Sequence, residues 1–122
     1  MIEQIEDMPE GTLGFEGIGK ITAEDYRDSM EAPVKAAGAD EARVRMLFLM
    51  GDRFEKFSGG AMWEDARFGL TRHVRWDRIA FVTDVDWLRR AASAFRWMIP
   101  GKFKLFRVAE LDAAKSWTAE SD

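Results

Sequence analysis

Val44-Arg45-Met46-Leu47-Phe48-Leu49-Met50 is the stretch on which the rest of the chain is read. It is apolar but for one arginine, and a nearly continuous apolar run is the pattern of a central strand buried on both faces. Side chains alternate along a strand, so Leu47 and Leu49 face one side and Phe48 and Met50 the other.

Downstream of this strand, Gly51 to Gly60 reads as a loop and Ala61 to His73 as a helix, with Met62, Ala66, Gly69 and His73 at steps of three and four. Ile79 to Thr83 is a second, shorter buried strand. Asp84 or Asp86 caps a helix over about Asp86 to Ile99, which Pro100-Gly101 stops. Phe103 to Val108 is a last strand, and Glu110 to Ala119 a last helix with Leu111, Ala114 and Trp117 inward.

Upstream, Ile2 to Ile5 alternates like an edge strand, Met8-Pro9-Glu10-Gly11 is a turn, and Leu13 to Lys20 is a strand paired to the first. Thr22 is the N-cap of the next helix, with Asp25 in the capping-box position three residues on. That helix carries Tyr26, Met30, Val34 and Ala37 on one side, is kinked by Pro33 and ends at Gly38. The predicted order is β-β-α-β-α-β-α-β-α. It implies an α/β fold: one domain over residues 1–122 with a mixed, largely parallel sheet covered by about four helices.

A chain of 122 residues, 47% of them hydrophobic, suits one domain with its own core. It has no cysteine, which excludes disulfides, thiol catalysis and cysteine-ligated metals. Met1 to Glu10 holds four acidic residues and no basic one, so it does not read as a secretory signal. No run reaches the roughly 18 apolar residues of a membrane span, so a cytoplasmic location is expected.

The net charge of −4 hides an uneven distribution. Met1 to Glu41 holds 11 acidic and 3 basic residues, whereas Ala42 to Arg107 holds 14 basic and 7 acidic. A basic region of this kind attracts anions or complements acidic elements of the same fold.

No catalytic machinery is legible. The single histidine, His73, excludes a triad or a His-rich metal site and reads as a residue of a helix C-terminus. Gly14, Gly17 and Gly19 do not form a dinucleotide fingerprint, and Gly51 to Gly60 lacks a phosphate-loop lysine. Glu64 and Asp65 are adjacent on a helix and point apart. Ser58, followed by Gly59-Gly60, reads as a helix N-cap or as a regulatory hydroxyl whose phosphate would suit a helix N-terminus.

The segment Trp87 to Ala109 holds Arg89, Arg90, Arg96, Lys102, Lys104 and Arg107 and no acidic residue. Leu88, Ala92, Phe95 and Ile99 share the core stripe of its helix, and Trp97 falls on the opposite side. An outward indole among cations fits shallow docking into an anionic membrane interface. Phe68, off the stripe of its own helix, could line a groove between the two helices.

Several segments together resemble the SpoIIAA-like (STAS-like) bacterial proteins. They are Phe57 to Ala66, Ile79 to Trp87, Met98-Ile99-Pro100-Gly101, Ala109 to Trp117, and the opening Gly14-Phe15-Glu16 with Gly19-Lys20-Ile21-Thr22. The resemblance implies a STAS-type mixed sheet with covering helices, related in fold to CRAL-TRIO lipid-binding domains, and a non-enzymatic role. In the distant anti-sigma-factor antagonists the switch serine follows an aspartate, whereas here Phe57 precedes Ser58.

The functional expectation is therefore a binding module without cofactor or metal. Its groove for an apolar or lipid-like molecule would use Met62, Phe68, Trp97 and Met98. Arg89, Arg90, Arg96 and Lys102 would meet an anionic membrane surface, with the protein peripheral there. The alternative is a regulatory protein-interaction domain acting through Ser58 and its helix. A homodimer is a further expectation, and nucleic acid is ranked last as a partner.

Overall fold

The structure, a computed structural model, describes residues 1–57, 75–94, 96–98 and 101–120. Its main sheet has five strands in the order β1-β2-β4-β6-β7. These are β1 (Ile2–Gln4), β2 (Leu13–Gly17), β4 (Arg43–Met50), β6 (Arg75–Thr83) and β7 (Lys102–Phe106). β1 runs antiparallel to β2, and every other neighbour in this sheet is parallel. β4 is central, as its sequence predicts, and its two faces bury different partners. Met46, Phe48 and Met50 pack with Phe15, Met30 and Val34. Leu47 and Leu49 pack with Ala80, Val82, Phe106 and Ala114 on the other side.

Leu13 to Lys20 is not one strand. The ladder breaks at Ile18, and Gly19, at φ 64°, turns the chain out of the main sheet. The next residues form β3 (Gly19–Ile21), which pairs in parallel with β5 (Phe54–Phe57) in a second, two-stranded sheet. β5 corrects the expectation that residues 51–60 are all loop. Gly17 permits the close turn, because a Cβ there would collide with the Ile21 side chain.

The Thr22–Asp25 capping box forms in both directions. The Thr22 N–H donates to the Asp25 carboxylate at 2.8 Å, and the Asp25 N–H donates to the Thr22 hydroxyl at 3.2 Å. α1 (Ala23–Asp25) passes through a π-helical stretch (Tyr26–Met30) into α2 (Glu31–Ala37). The kink expected of Pro33 takes this form. A proline ring clashes with the carbonyl four residues back, and a wider turn, in which the Glu31 N–H donates to the Tyr26 carbonyl, relieves that crowding.

β6 begins four residues earlier than its apolar run suggests. Its register with β4 shifts between Val44 and Arg45, which pair with Trp76 and Arg78, so that Asp77 is the extra residue of a bulge. The bulge breaks the alternation of apolar residues and hides the start of the strand from a pattern reading.

α3 (Asp86–Ala94) is shorter than the predicted 86–99 helix and is followed by a 3-10 turn at Arg96–Met98. The Asp84 carboxylate accepts from the Val108 N–H at 3.1 Å, across the sheet end. A 3-10 turn (Val108–Glu110) leads into α4 (Leu111–Ala119). The helix expected over residues 61–73 lies outside the described residues.

α4 is fastened to the sheet by arginines of β4 and β6. Arg45 donates from Nη1 to the carbonyls of Ala119 at 3.0 Å and Glu120 at 2.8 Å, and from Nε to Asp77 at 2.8 Å. Arg78, only 5% exposed, donates to the Trp117 carbonyl at 2.9 Å and stacks on the Trp117 ring at 4.8 Å. Cations at a helix C-terminus also oppose its partial negative charge.

Candidate binding surface

Two surface features stand out, one at the carboxyl ends of the parallel strands and one on the flank of the sheet at β7. The first is aromatic. Phe54 and Phe57 of β5 lie 5.1 Å apart between ring centres, and Trp87 in the first turn of α3 meets Phe57 edge-on at 6.2 Å and Phe54 at 6.4 Å. These pairs pin the end of β5 to the start of α3. Trp87 remains 50% exposed, so the cluster is also a surface. Beside it is a cleft of about 260 Å³ lined by Met50, Gly51, Asp52, Phe54, Asp84, Val85 and Val108. Clefts of open α/β sheets form at this end because successive strands hand over to their crossovers there.

The second feature is the flank made by the end of α3, the 3-10 turn and β7. Trp97 is 77% exposed, the highest value among the large apolar residues described. Arg90, Arg96, Lys102 and Lys104 are exposed on the same stretch of chain. Arg96 lies over the Phe103 ring at 5.9 Å and donates to the Phe103 carbonyl at 3.4 Å. Lys104 lies over the Phe106 ring at 5.2 Å.

Arg89 stands apart from this group. Its Nη1 donates to the carbonyls of Thr83 and Phe106, both at 2.9 Å, and ties together the ends of β6 and β7. Its guanidinium is therefore committed to the main chain rather than presented outward with Arg90. Sequence spacing placed the two together; the long-range carbonyls that separate them have no signature in sequence.

Of the other residues expected to matter, Ser58, Met62 and Phe68 lie outside the described residues, as does the side chain of Met98. The groove they would form is thus not described. The aromatic cluster was missed, although Phe54 and Phe57 three residues apart, before a serine, were a visible signal once β5 is recognised as a strand. Among the described residues no group of histidine, aspartate and glutamate side chains is arranged to hold a metal ion. None of their helices is long and apolar enough to cross a membrane.

The architecture has a solved counterpart. The crystal structure of an uncharacterised protein of the DUF3478 family with a SpoIIAA-like fold, from Shewanella loihica PV-4, superposes with a TM-score of 0.72. The match covers 97% of this chain and 94% of that one at 24% identity, and it speaks for the fold alone. No curated protein matches the chain. The family model described as SpoIIAA-like matches residues 12–119, from β2 to the end of α4. The chain belongs to the SpoIIAA-like family, and its mixed sheet with crossover helices is a STAS-type domain.

Proposed function

We propose that the chain is a non-enzymatic, STAS-type regulatory module that docks a protein partner at the carboxyl ends of its parallel strands, through the segment beginning at Ser58. The carrying observation is the Phe54–Phe57–Trp87 cluster, which fixes the last residue of β5, directly before Ser58 in sequence, against the first turn of α3. A half-exposed tryptophan beside a shallow cleft is the composition of an interaction centre. A photo-reactive amino acid placed at position 58 or 87 should cross-link one protein partner in cells of the source organism, and the same probe at exposed Asp40 should not. Cross-linking at position 58 should disappear on Trp87→Ala. Equal cross-linking from all three positions refutes the reading.

The second reading, an apolar or lipid-like ligand with reversible contact to anionic membrane, is supported by the exposure of Trp97 among Arg90, Arg96 and Lys102. Its electrostatic part is smaller than the sequence suggests. Each juxtamembrane cation contributes about 1 kcal/mol, and the Arg89 guanidinium is engaged by carbonyls. Co-sedimentation with anionic and neutral vesicles tests it: binding to anionic vesicles that Trp97→Ala abolishes supports this reading, and equal, negligible binding to both refutes it.

A further inference from the structure

The two edges of the main sheet carry opposite charge. β1 and β7 are its outermost strands. On the β1 side, Glu3 and Glu6 are exposed, as is Asp7, which Lys115 meets at 3.0 Å. On the β7 side, Arg90, Arg96 and Lys104 are exposed, within a stretch from Trp87 to Ala109 that contains no carboxylate. Four strand spacings separate the edges by about 19 Å. That exceeds the Debye length of about 8 Å at physiological salt, so neither patch neutralises the other within one molecule.

We infer that the β7 flank of one copy of this chain receives the β1 edge of a second copy, with Trp97 as the apolar anchor and Arg90, Arg96 and Lys104 facing Glu3 and Glu6. The inference stands apart from the docking site proposed above, which lies at the strand ends. Charge complementarity selects the occupant. Two β7 flanks repel each other, which disfavours a symmetric dimer through this surface, and the complement the chain itself offers is its own far edge. Trp97 supplies what surface ion pairs lack, since exposed pairs alone contribute little and tryptophan with arginine is the usual centre of an interface. The contact is made by side chains rather than by a continued β-ladder, because Arg96 already holds the Phe103 carbonyl. A head-to-tail contact of this kind is heterologous, so it produces rings or open chains of copies rather than a two-fold dimer.

Sedimentation of the full chain over a range of concentrations, at about 20 mM and about 500 mM salt, reads the contact directly. The average mass should rise with concentration at low salt, and the association should weaken about tenfold or more at high salt. Trp97→Ala should weaken it at both. One variant carries Arg90→Glu with Arg96→Glu, and another carries Glu3→Lys with Glu6→Lys. Each should be monomeric alone and keep the circular dichroism of the parent. Mixed in equal amounts they should associate again, since the unchanged β1 edge of the first meets the unchanged β7 flank of the second and the two charge-reversed surfaces attract as well. A parent protein monomeric at every concentration overturns the inference, and so does a mixture of the two variants that stays monomeric. Self-association that both variants retain overturns it too, because the contact is then elsewhere. A monomeric parent that anionic vesicles sediment would give Trp97 to lipid instead.

Discussion

Asp77 is the residue whose removal tests the architecture most sharply. It is 9% exposed, sits at the bulge of β6 and accepts from Arg45 Nε at 2.8 Å. Arg43 approaches it at 3.8 Å but is itself 70% exposed. Breaking a buried pair by deleting one partner costs about 3–5 kcal/mol, because the other charge stays behind without its counter-ion. Two features reduce that here. Arg45 keeps 23% of its side-chain surface in water and still donates to the carbonyls of Ala119 and Glu120. Asp77→Ala should therefore cost about 2–3 kcal/mol.

Arg45→Met should cost about as much, since it strands the Asp77 carboxylate and releases two carbonyls at the end of α4. The double variant removes both charges. If the two residues act as one unit, its cost falls short of the sum of the singles by about 1.5 kcal/mol or more. Urea denaturation of the four proteins, with the slope m held as a check on two-state behaviour, measures this coupling. Additivity within about 0.5 kcal/mol would refute the idea that the bulge exists to bring these side chains together.

The remaining predictions concern other parts of the frame. Burial alone would raise the Asp25 carboxyl, but the Thr22 N–H, the amino terminus at 3.2 Å and the Thr22 hydroxyl outweigh it and hold its pKa below the ordinary value. A lowered folded pKa contributes stability that is present above the unfolded value of about 3.9 and lost as pH falls through the folded one. The urea midpoint should thus drop below about pH 4 in the parent, and Asp25→Asn should flatten that part of the curve. Gly101 has φ 76°, and a Cβ there would lie 2.7 Å from the Trp76 carbonyl oxygen, so Gly101→Ala should lower stability by about 1–3 kcal/mol in thermal unfolding. Leu47→Ala, in the fully buried centre of β4, should cost about 2–5 kcal/mol by the same measurement. Native-state amide exchange should be slowest in β4 and faster in the three-residue edge strand β1; rapid exchange throughout β4 would show the central assignment to be wrong.

The parts of the fold that sequence disclosed were those set by local chemistry or by simple periodicity. Val44 to Met50 announced a central strand because both of its faces are apolar. Thr22 and Asp25 announced a helix start because the capping box is a contact across three residues. The parts that stayed hidden depend on partners distant in sequence. β5 is a buried and a half-buried aromatic around exposed Glu55 and Lys56, which looks like loop until β3 is known to lie beside it. Arg75 to Arg78 looks polar and exposed, yet Asp77 and Arg78 are buried because Arg45, Trp117 and Glu120 converge on them from far along the chain.

The same distinction governs the candidate surfaces. Composition marked Trp87 to Ala109 as basic and aromatic, and Trp97 is exposed although the helix on which it was projected ends at Ala94 and leaves it in a 3-10 turn. Composition could not rank the cations, because an arginine's role is set by what its guanidinium reaches. Arg89 and Arg90 are neighbours with the same chemistry, yet Arg89 spans to carbonyls on β6 and β7 while Arg90 is exposed. Arg89 follows Thr83 by six residues and precedes Phe106 by seventeen, so its partners become visible only when the crossover from β6 through α3 to β7 is built. Neutralising all the cations of the segment together would mix the loss of a strand-end clamp with the loss of a binding charge. Arg90 and Arg96 are the positions at which a charge change reads the surface, and Arg89 is the position at which it reads the fold.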